Sequence, residues 1–307
     1  MFVADAHADT LYALAIQGTE PQHLMVNRDR LEKGCVGLQT YALFTGRGGP
    51  MGTPYQDGIR MMAKIDALGV PIIRGALPDA PPDTPMGVIS VEGGELFEGK
   101  IERLREFHAM ARIRMIALTW NFENEIGHPS KGGTRNPLKP FGHELLLAMD
   151  ELGILADVSH LNEAGFYHAA ELARNPIIAS HSNLKTLCDN HRNLTADQVK
   201  LIIEKKGFIG INFYAKFLAK GRAATTDDVL RHIDGIMALG GEHVLGFGSD
   251  FDGIDEWPDG LASPADFPAL IELLLRHGYS EDQVRAIAGL NLWNVLKRAE
   301  AAALVSP

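Results

Sequence analysis

The chain has 307 residues, 46% hydrophobic and 22% charged, with a formal net charge of −10. That composition excludes a largely disordered chain, and the acidic balance argues against a nucleic-acid partner, because phosphate binding needs a basic face. The only two cysteines, Cys35 and Cys188, lie far apart with no CxxC pair, which argues against a disulfide framework and points to a reducing compartment.

The amino terminus, MFVADAHADT, has neither a basic region nor a long apolar run, so no signal peptide is expected. No stretch of about 18 apolar residues is available to span a membrane. The end, AEAAALVSP, lacks the tail of a lipid-anchor signal. The expectation is a cytoplasmic protein with no membrane partner.

Short apolar runs recur in chain order, most of them separated by helical patterns. Phe2–Asp5 runs into Asp5-Ala6-His7-Ala8-Asp9. Gly37–Phe44 is followed by a Gly- and Pro-rich stretch, 46–58, that reads as a loop. Gly87–Val91 ends in Glu92-Gly93-Gly94. Met115–Thr119 leads into Trp120 and an irregular stretch, 121–141, too long for a plain connection and so read as a functional loop. In HELLLAMDELG, Leu145, Leu146, Met149 and Leu152 share one helical face. Ile154–Val158 ends in Asp157-Val158-Ser159-His160, and Ile177–Ser180 in Ser180-His181-Ser182. Phe208–Asn212 precedes Tyr214, and Val244–Gly248 runs into Ser249-Asp250-Phe251-Asp252-Gly253. Helix starts are signalled by Thr195 before Gln198, Thr225 before Asp228 and Ser280 before Gln283. Eight such runs alternating with helices predict an α/β fold, a (β/α)8 TIM barrel in one domain over 1–307. The alternative, an open doubly wound sheet, finds no Gly-rich dinucleotide or P-loop fingerprint to support it.

Five of the runs carry His, Asp or Glu at their carboxyl ends, which a barrel gathers at one mouth. Those residue types are donors for a divalent metal. Residues two apart in a strand point the same way, so His7 and Asp9 can grip one ion. Glu92, with two carboxylate oxygens, can bridge two ions, and His160 and His181 can hold the second. Two ions roughly 3.5–4 Å apart form a hydrolytic clamp. A hydroxide between them would attack a carbonyl, and Asp250 would take and return the proton. Each signal alone has a structural reading: a core histidine, a Gly turn, an Asp-rich turn. Their joint placement does not, because a core does not hold His and Asp in one layer without partners. Asp5, Asp157 and Asp252 either orient ligands or cap turns. His143 reads as structural, and His191 as exposed or an outer partner beside Arg192.

Taken in order, DAHADT, VEGG, DVSH, SHSN, HRNL, INFY and GFGSDFDG resemble the membrane (renal) dipeptidase family of zinc peptidases, from Asp5 to about Lys297. The resemblance implies two zinc ions per chain: His7 and Asp9 on the first, Glu92 bridging, His160 and His181 on the second. It implies that Arg192 holds a dipeptide's free carboxylate and that Asp250 handles the proton and the substrate's amino end. It further implies cleavage of free dipeptides, with a D-residue tolerated at the C-terminal position, and a homodimer, for which the sequence offers no interface patch. One departure stands out. The family pattern Leu-Thr-His, whose histidine steadies the oxyanion, reads Leu118-Thr119-Trp120 here. Asn121, Asn124 or His128 are the candidates to replace that donor. Trp120 either stacks on the substrate or packs, and Tyr214 either lines the mouth or packs. The competing function is a binuclear-metal amidohydrolase acting on another small amide, lactone or ester. Such enzymes usually open with HxH and often bridge with lysine, whereas this chain has His7-Ala8-Asp9 and Glu92.

Overall fold

The computed structural model describes residues 1–46 and 48–303; Arg47, inside the predicted 46–58 loop, and residues 304–307 lie outside the described residues. All eight predicted runs form strands: β1 (Val3–Asp5), β2 (Val36–Phe44), β3 (Met86–Glu92), β4 (Met115–Ala117), β5 (Leu155–Asp157), β6 (Ile177–Ala179), β7 (Phe208–Ile211) and β8 (Leu245–Phe247). They are parallel and close in sequence order into a barrel. Closure is made where β1 pairs β2 through Ala4↔Leu38 and pairs β8 through Asp5↔Phe247. All strand residues but the half-buried Met86 are buried, which is why the strands read as continuous apolar runs rather than alternating ones.

The helices start where the sequence signals them. Thr195/Gln198, Thr225/Asp228 and Ser280/Gln283 form capping boxes at the heads of Ala196–Glu204, Thr226–Ala238 and Glu281–Arg285. The predicted 46–58 loop needs correction. Its second half enters the helix Pro54–Met62, because Thr53 and Gln56 cap each other and Pro54 takes the first turn. Helix Pro140–Leu152 buries Leu145, Leu146 and Met149, as its pattern requires, with Leu152 at the edge of the core.

The two ends of the barrel are built differently. Below β4, Arg114 Nη1 donates to Glu300 Oε1 at 2.8 Å, and Glu300 also accepts from Leu77 N. This paired, buried arrangement ties the last helix, Asn291–Ala303, to the barrel floor. At the opposite end the 121–139 segment crosses the mouth without helix or long strand. It is pinned by Ser130 N donating to His160 O at 2.6 Å and by Asn124, whose side chain bonds Leu118 O, Ile126 N and Gly127 N.

Candidate metal centre and substrate pocket

The mouth gathers all five predicted ligands. Glu92, the last residue of β3, stands at the centre. Its Oε1 lies 2.9 Å from His160 Nε2 and 3.6 Å from His181 Nε2, while its Oε2 lies 3.4 Å from His7 Nε2. His160 Nε2 and His181 Nε2 are 3.0 Å apart. His7 Nε2 is 3.7 Å from Asp9 Oδ2 and 4.0 Å from Asp250 Oδ1. One carboxylate thus turns one oxygen to each of two imidazole groups. His7 and Asp9 lie beyond β1 rather than within it, a correction to the strand argument. The chain is still held on both sides there, since Ala8 bridges Phe251 and accepts from Ala42 N.

The electrostatics follow from burial. Burial opposes charge on His7, but Glu92 and Asp9 override it and raise its pKa well above the ordinary value. Burial also works against charge on Glu92, yet His7 and the two facing imidazoles hold it well below the usual carboxylate range. Burial, with Glu92 nearby, pushes Asp9 up to about 8. Asp250 is pushed up to about 6, again by burial first, with His7 pulling the other way. His160 falls to about 3 and His181 well below the ordinary value, through burial first, then Arg192 beside His160 and His7 beside His181. These two rings therefore stay neutral with lone pairs available. Burial and mutual repulsion hold Asp9 and Asp250 back from ionising beside Glu92, and a divalent cation would favour their charged forms. His7 Nε2 and Asp9 Oδ1 are buried with no hydrogen-bond partner among the described residues, a costly state unless a ligand meets them. The donors of His7, Glu92 and His181 lie within 4.8 Å of one another, as do those of His7, Asp9 and Asp250. The residues fit divalent ions held by oxygen and imidazole nitrogen.

The candidate ligands are steered from behind. Asp157 accepts the Ser180 hydroxyl, whose Oγ lies 2.7 Å from His181 Nδ1. Asn121 Oδ1 lies 3.0 Å from His160 Nδ1. Each contact suits an Nδ1–H tautomer, which leaves Nε2 for the centre. Of the three aspartates left open by the sequence, Asp157 reaches the ring of a candidate ligand through Ser180, while Asp5 meets only the backbone N–H of His7 at 3.4 Å. Asp5 accepts from Ser249 N at 2.8 Å, Ser249 Oγ at 2.5 Å and Gln39 Nε2 at 3.1 Å, stitching β1 to β8 and β2. Asp252 accepts from Thr10 Oγ1, Met25 N and Val26 N, holding the β8 loop to the first loop. Asp250 and His160 both adopt left-handed backbone, φ 65° and 69°, a conformation costly outside glycine and tolerated where function fixes it. Gly253 permits the crowding: a Cβ there would meet Asp9 Oδ2 at 2.0 Å.

Above the centre opens a cavity of about 620 Å³, within the range for small-ligand sites. Arg192, Asp250, Trp120, Asn121 and Tyr214 all line it. Arg192 is buried and donates through Nη2 to His181 O at 3.3 Å, while its Nε has no hydrogen-bond partner among the described residues. Burial lowers its pKa to about 10, so it remains a cation at neutral pH. Trp120 packs against Phe44 and Phe122 with centroids 4.8 and 5.4 Å away, so it both packs and faces the cavity. Tyr214 stacks edge-on against Phe217 at 4.8 Å and also faces it. His191 lies on the cavity wall, its Nδ1 3.0 Å from Ser130 Oγ. Asn124 is committed to Glu95, Leu118 O and its own loop, and His128 is turned to Glu123, 3.3 Å from Nδ1. That leaves Asn121 as the cavity-lining member of the three candidate oxyanion donors.

Two contributors escape the sequence reading. Asn212 donates from Nδ2 to Asp250 Oδ2 at 2.9 Å. Phe44 ends β2 and walls the cavity. The strand-end rule that singled out the candidate ligands would have found Asn212, the polar residue that follows β7, but not Phe44, since an aromatic ending an apolar run reads as core.

A model of the family described as membrane dipeptidase (peptidase family M19) matches residues 82–307. A Klebsiella pneumoniae protein encoded in the pqqA 5′ region is 36% identical over 220 residues, 68% of this chain and 80% of that protein. An uncharacterised dipeptidase of Schizosaccharomyces pombe is 32% identical over 228 residues, 70% of this chain. The match spans only 53% of the yeast protein's length. Among solved structures, a Rhodobacter sphaeroides metallopeptidase liganded with a phosphinate mimic of L-Ala-D-Ala superposes with TM-score 0.87 at 25% identity, covering 97% of this chain and 99% of that one. The structure of a metallopeptidase named dipeptidase AC gives TM-score 0.86 at 25% identity, covering 97% and 98%. Both structural matches cover more of the chain than the family model does, whose first matched residue lies after His7 and Asp9. Because the family model matches well over half of its length, the chain belongs to the membrane dipeptidase family of metallopeptidases.

Proposed function

We propose that this protein is a zinc-dependent dipeptidase that hydrolyses the peptide bond of free dipeptides, including those with a D-residue at the C-terminal position. The observation that carries the reading is Glu92, whose two oxygens face His7 on one side and the His160/His181 pair on the other. His7 and Asp9 would hold one zinc, His160 and His181 the other, and Glu92 both. Bound there, the ions would make hydroxide available near neutral pH and polarise the scissile carbonyl. The chain's own groups do the rest. Arg192 receives the C-terminal carboxylate, for which a guanidinium fork is well shaped. Asp250 Oδ1, on the His7 side, takes a proton from the attacking water and returns it to the leaving nitrogen. Asn212 occupies Asp250 Oδ2 and so fixes which oxygen is presented. The L-Ala-D-Ala mimic held by the Rhodobacter relative supports the tolerance of a D-residue.

The deciding experiment compares L-L and L-D dipeptides, tripeptides and end-blocked dipeptides with zinc-loaded and chelator-stripped protein. Metal-dependent cleavage confined to free dipeptides is expected. Zinc binding without dipeptide cleavage would favour the alternative, a binuclear amidohydrolase acting on another small amide, lactone or ester. Trp120, standing where an imidazole donor is expected, is the observation in that reading's favour.

Two substitutions test individual roles. Arg192→Met raises KM for free dipeptides by about 10- to 100-fold, the worth of one charge-assisted contact. A KM for free dipeptides unchanged from the wild type would remove Arg192 from the carboxylate. Asn121→Leu deprives His160 Nδ1 of its acceptor and weakens binding of one zinc by about 10- to 100-fold. Competition with a chelating dye measures this without an activity assay; two unaltered affinities would make Asn121 a substrate contact only.

A further inference from the structure

The groups that line the mouth are unevenly distributed, although Tyr214 and Phe217 add rings on the β7 side and Asn121 a polar group beside Trp120. Arg192 follows β6, Asn212 follows β7 and Asp250 follows β8, so charged and hydrogen-bonding groups gather on one side. Tyr12 follows β1, Phe44 ends β2 and Trp120 follows β4, so the other side is mainly aromatic. The three rings make a continuous surface. Tyr12 and Phe44 have centroids 4.9 Å apart, and Phe44 and Trp120 4.8 Å apart, with Phe122 behind Trp120 at 5.4 Å. In a closed eight-stranded barrel β2 stands opposite β6, and β4 opposite β8. Phe44 therefore faces Arg192 across the mouth, and Trp120 faces Asp250.

We infer that the Tyr12–Phe44–Trp120 wall is the specificity pocket for the side chain of the substrate's N-terminal residue, and that it selects large apolar or aromatic side chains. The inference rests on the dipeptidase reading. A dipeptide whose carboxylate sits on Arg192 and whose reacting carbonyl sits over Glu92 extends its N-terminal residue past the centre, toward β2. Its amine turns to Asp250 on the β8 side, which leaves its side chain the aromatic half. A glycine there leaves the wall facing water, and an acidic side chain loses hydration against the ring faces, with only the Tyr12 hydroxyl and the Trp120 indole N–H as polar groups of the three rings. An apolar side chain removes both surfaces from water.

The test is kcat/KM on two mirrored series, X-Ala and Ala-X, with X as Gly, Ala, Leu, Phe, Asp and Lys, using the zinc-loaded enzyme. Leu-Ala and Phe-Ala are expected to exceed Gly-Ala by about 10-fold or more, the discrimination typical of an apolar pocket. Asp-Ala and Lys-Ala fall below them, and the Ala-X series varies much less. Within each variant the Phe-Ala to Gly-Ala ratio is the readout. Trp120→Ala lowers it about 10-fold, and Trp120→Phe keeps most of it. Phe44→Leu, a milder change that keeps the position apolar, lowers it in part. A flat X-Ala series, a preference for Asp-Ala or Lys-Ala, discrimination confined to Ala-X, or a ratio unmoved in both Trp120→Ala and Phe44→Leu overturns the inference while leaving a dipeptidase. Cleavage of no dipeptide at all overturns the dipeptidase reading, and this inference with it.

Discussion

Glu92→Gln is expected to reduce zinc content from two ions per chain toward one and to lower kcat/KM by at least about 10³-fold. The substitution keeps the side chain's size while removing its charge and converting one oxygen into an N–H donor, which cannot ligate a cation. Both wild-type oxygens are engaged, one facing His160 and His181 at 2.9 and 3.6 Å and the other facing His7 at 3.4 Å. Both imidazole groups lose their anionic partner, and whichever way the amide turns one of them also loses its oxygen. A two-ion clamp contributes several kcal/mol to a hydrolytic transition state, and about 4 kcal/mol is about 10³-fold in rate. Thermal unfolding gives a second readout. An ion at 100 times its Kd stabilises the native state by about 2.7 kcal/mol, so zinc should raise the variant's Tm by much less than it raises that of the wild type. Metal analysis returning two tightly held zinc ions in the variant would remove Glu92 from the bridging role.

Much of the architecture is legible in the sequence because a parallel barrel needs eight strands buried on both faces, and such strands are plain apolar runs. The candidate ligands were legible for a related reason. A polar residue interrupting the carboxyl end of such a run has few structural uses, so His7, Glu92, His160 and His181 stand out one strand at a time. What the sequence conceals is the partner of each. Asp5, Asp157 and Asp252 look alike as strand-end aspartates. Only the closed barrel separates Asp157, which steers His181 through Ser180, from Asp5 and Asp252, which tie segments more than 200 residues apart. Such contacts follow from β1 meeting β8, not from local pattern. Phe44 and Tyr12 were hidden for the opposite reason. An aromatic at the end of an apolar run is compatible with core packing, and only the cavity in front of it reveals a second use. The helix at Pro54–Met62 was readable, since Thr53, Pro54 and Gln56 form a regular helix start, but the glycines just ahead of it outweighed that signal.

Asp250→Asn should leave both zinc ions in place while lowering kcat by about 10²- to 10⁴-fold, the usual worth of a positioned acid–base group. Asparagine is the informative replacement because it tolerates the left-handed backbone that Asp250 adopts at φ 65°. Its carboxamide oxygen can still accept from Asn212 Nδ2, so the local fold should persist. What disappears is a group able to carry a proton between water and the leaving nitrogen. The geometry also permits a rival role, since Asp250 Oδ1 lies 4.0 Å from His7 Nε2 and its carboxylate shares a 4.8 Å cluster with His7 and Asp9. Were Asp250 a third ligand to the first ion, the substitution would shed that ion, and added zinc would recover part of the activity. Were it the proton carrier, zinc content would hold and added zinc would recover nothing. The two roles therefore separate on metal content and zinc rescue, both measurable on one preparation. Retention of full turnover would exclude both and leave Asp250 as an anchor for the substrate's amine.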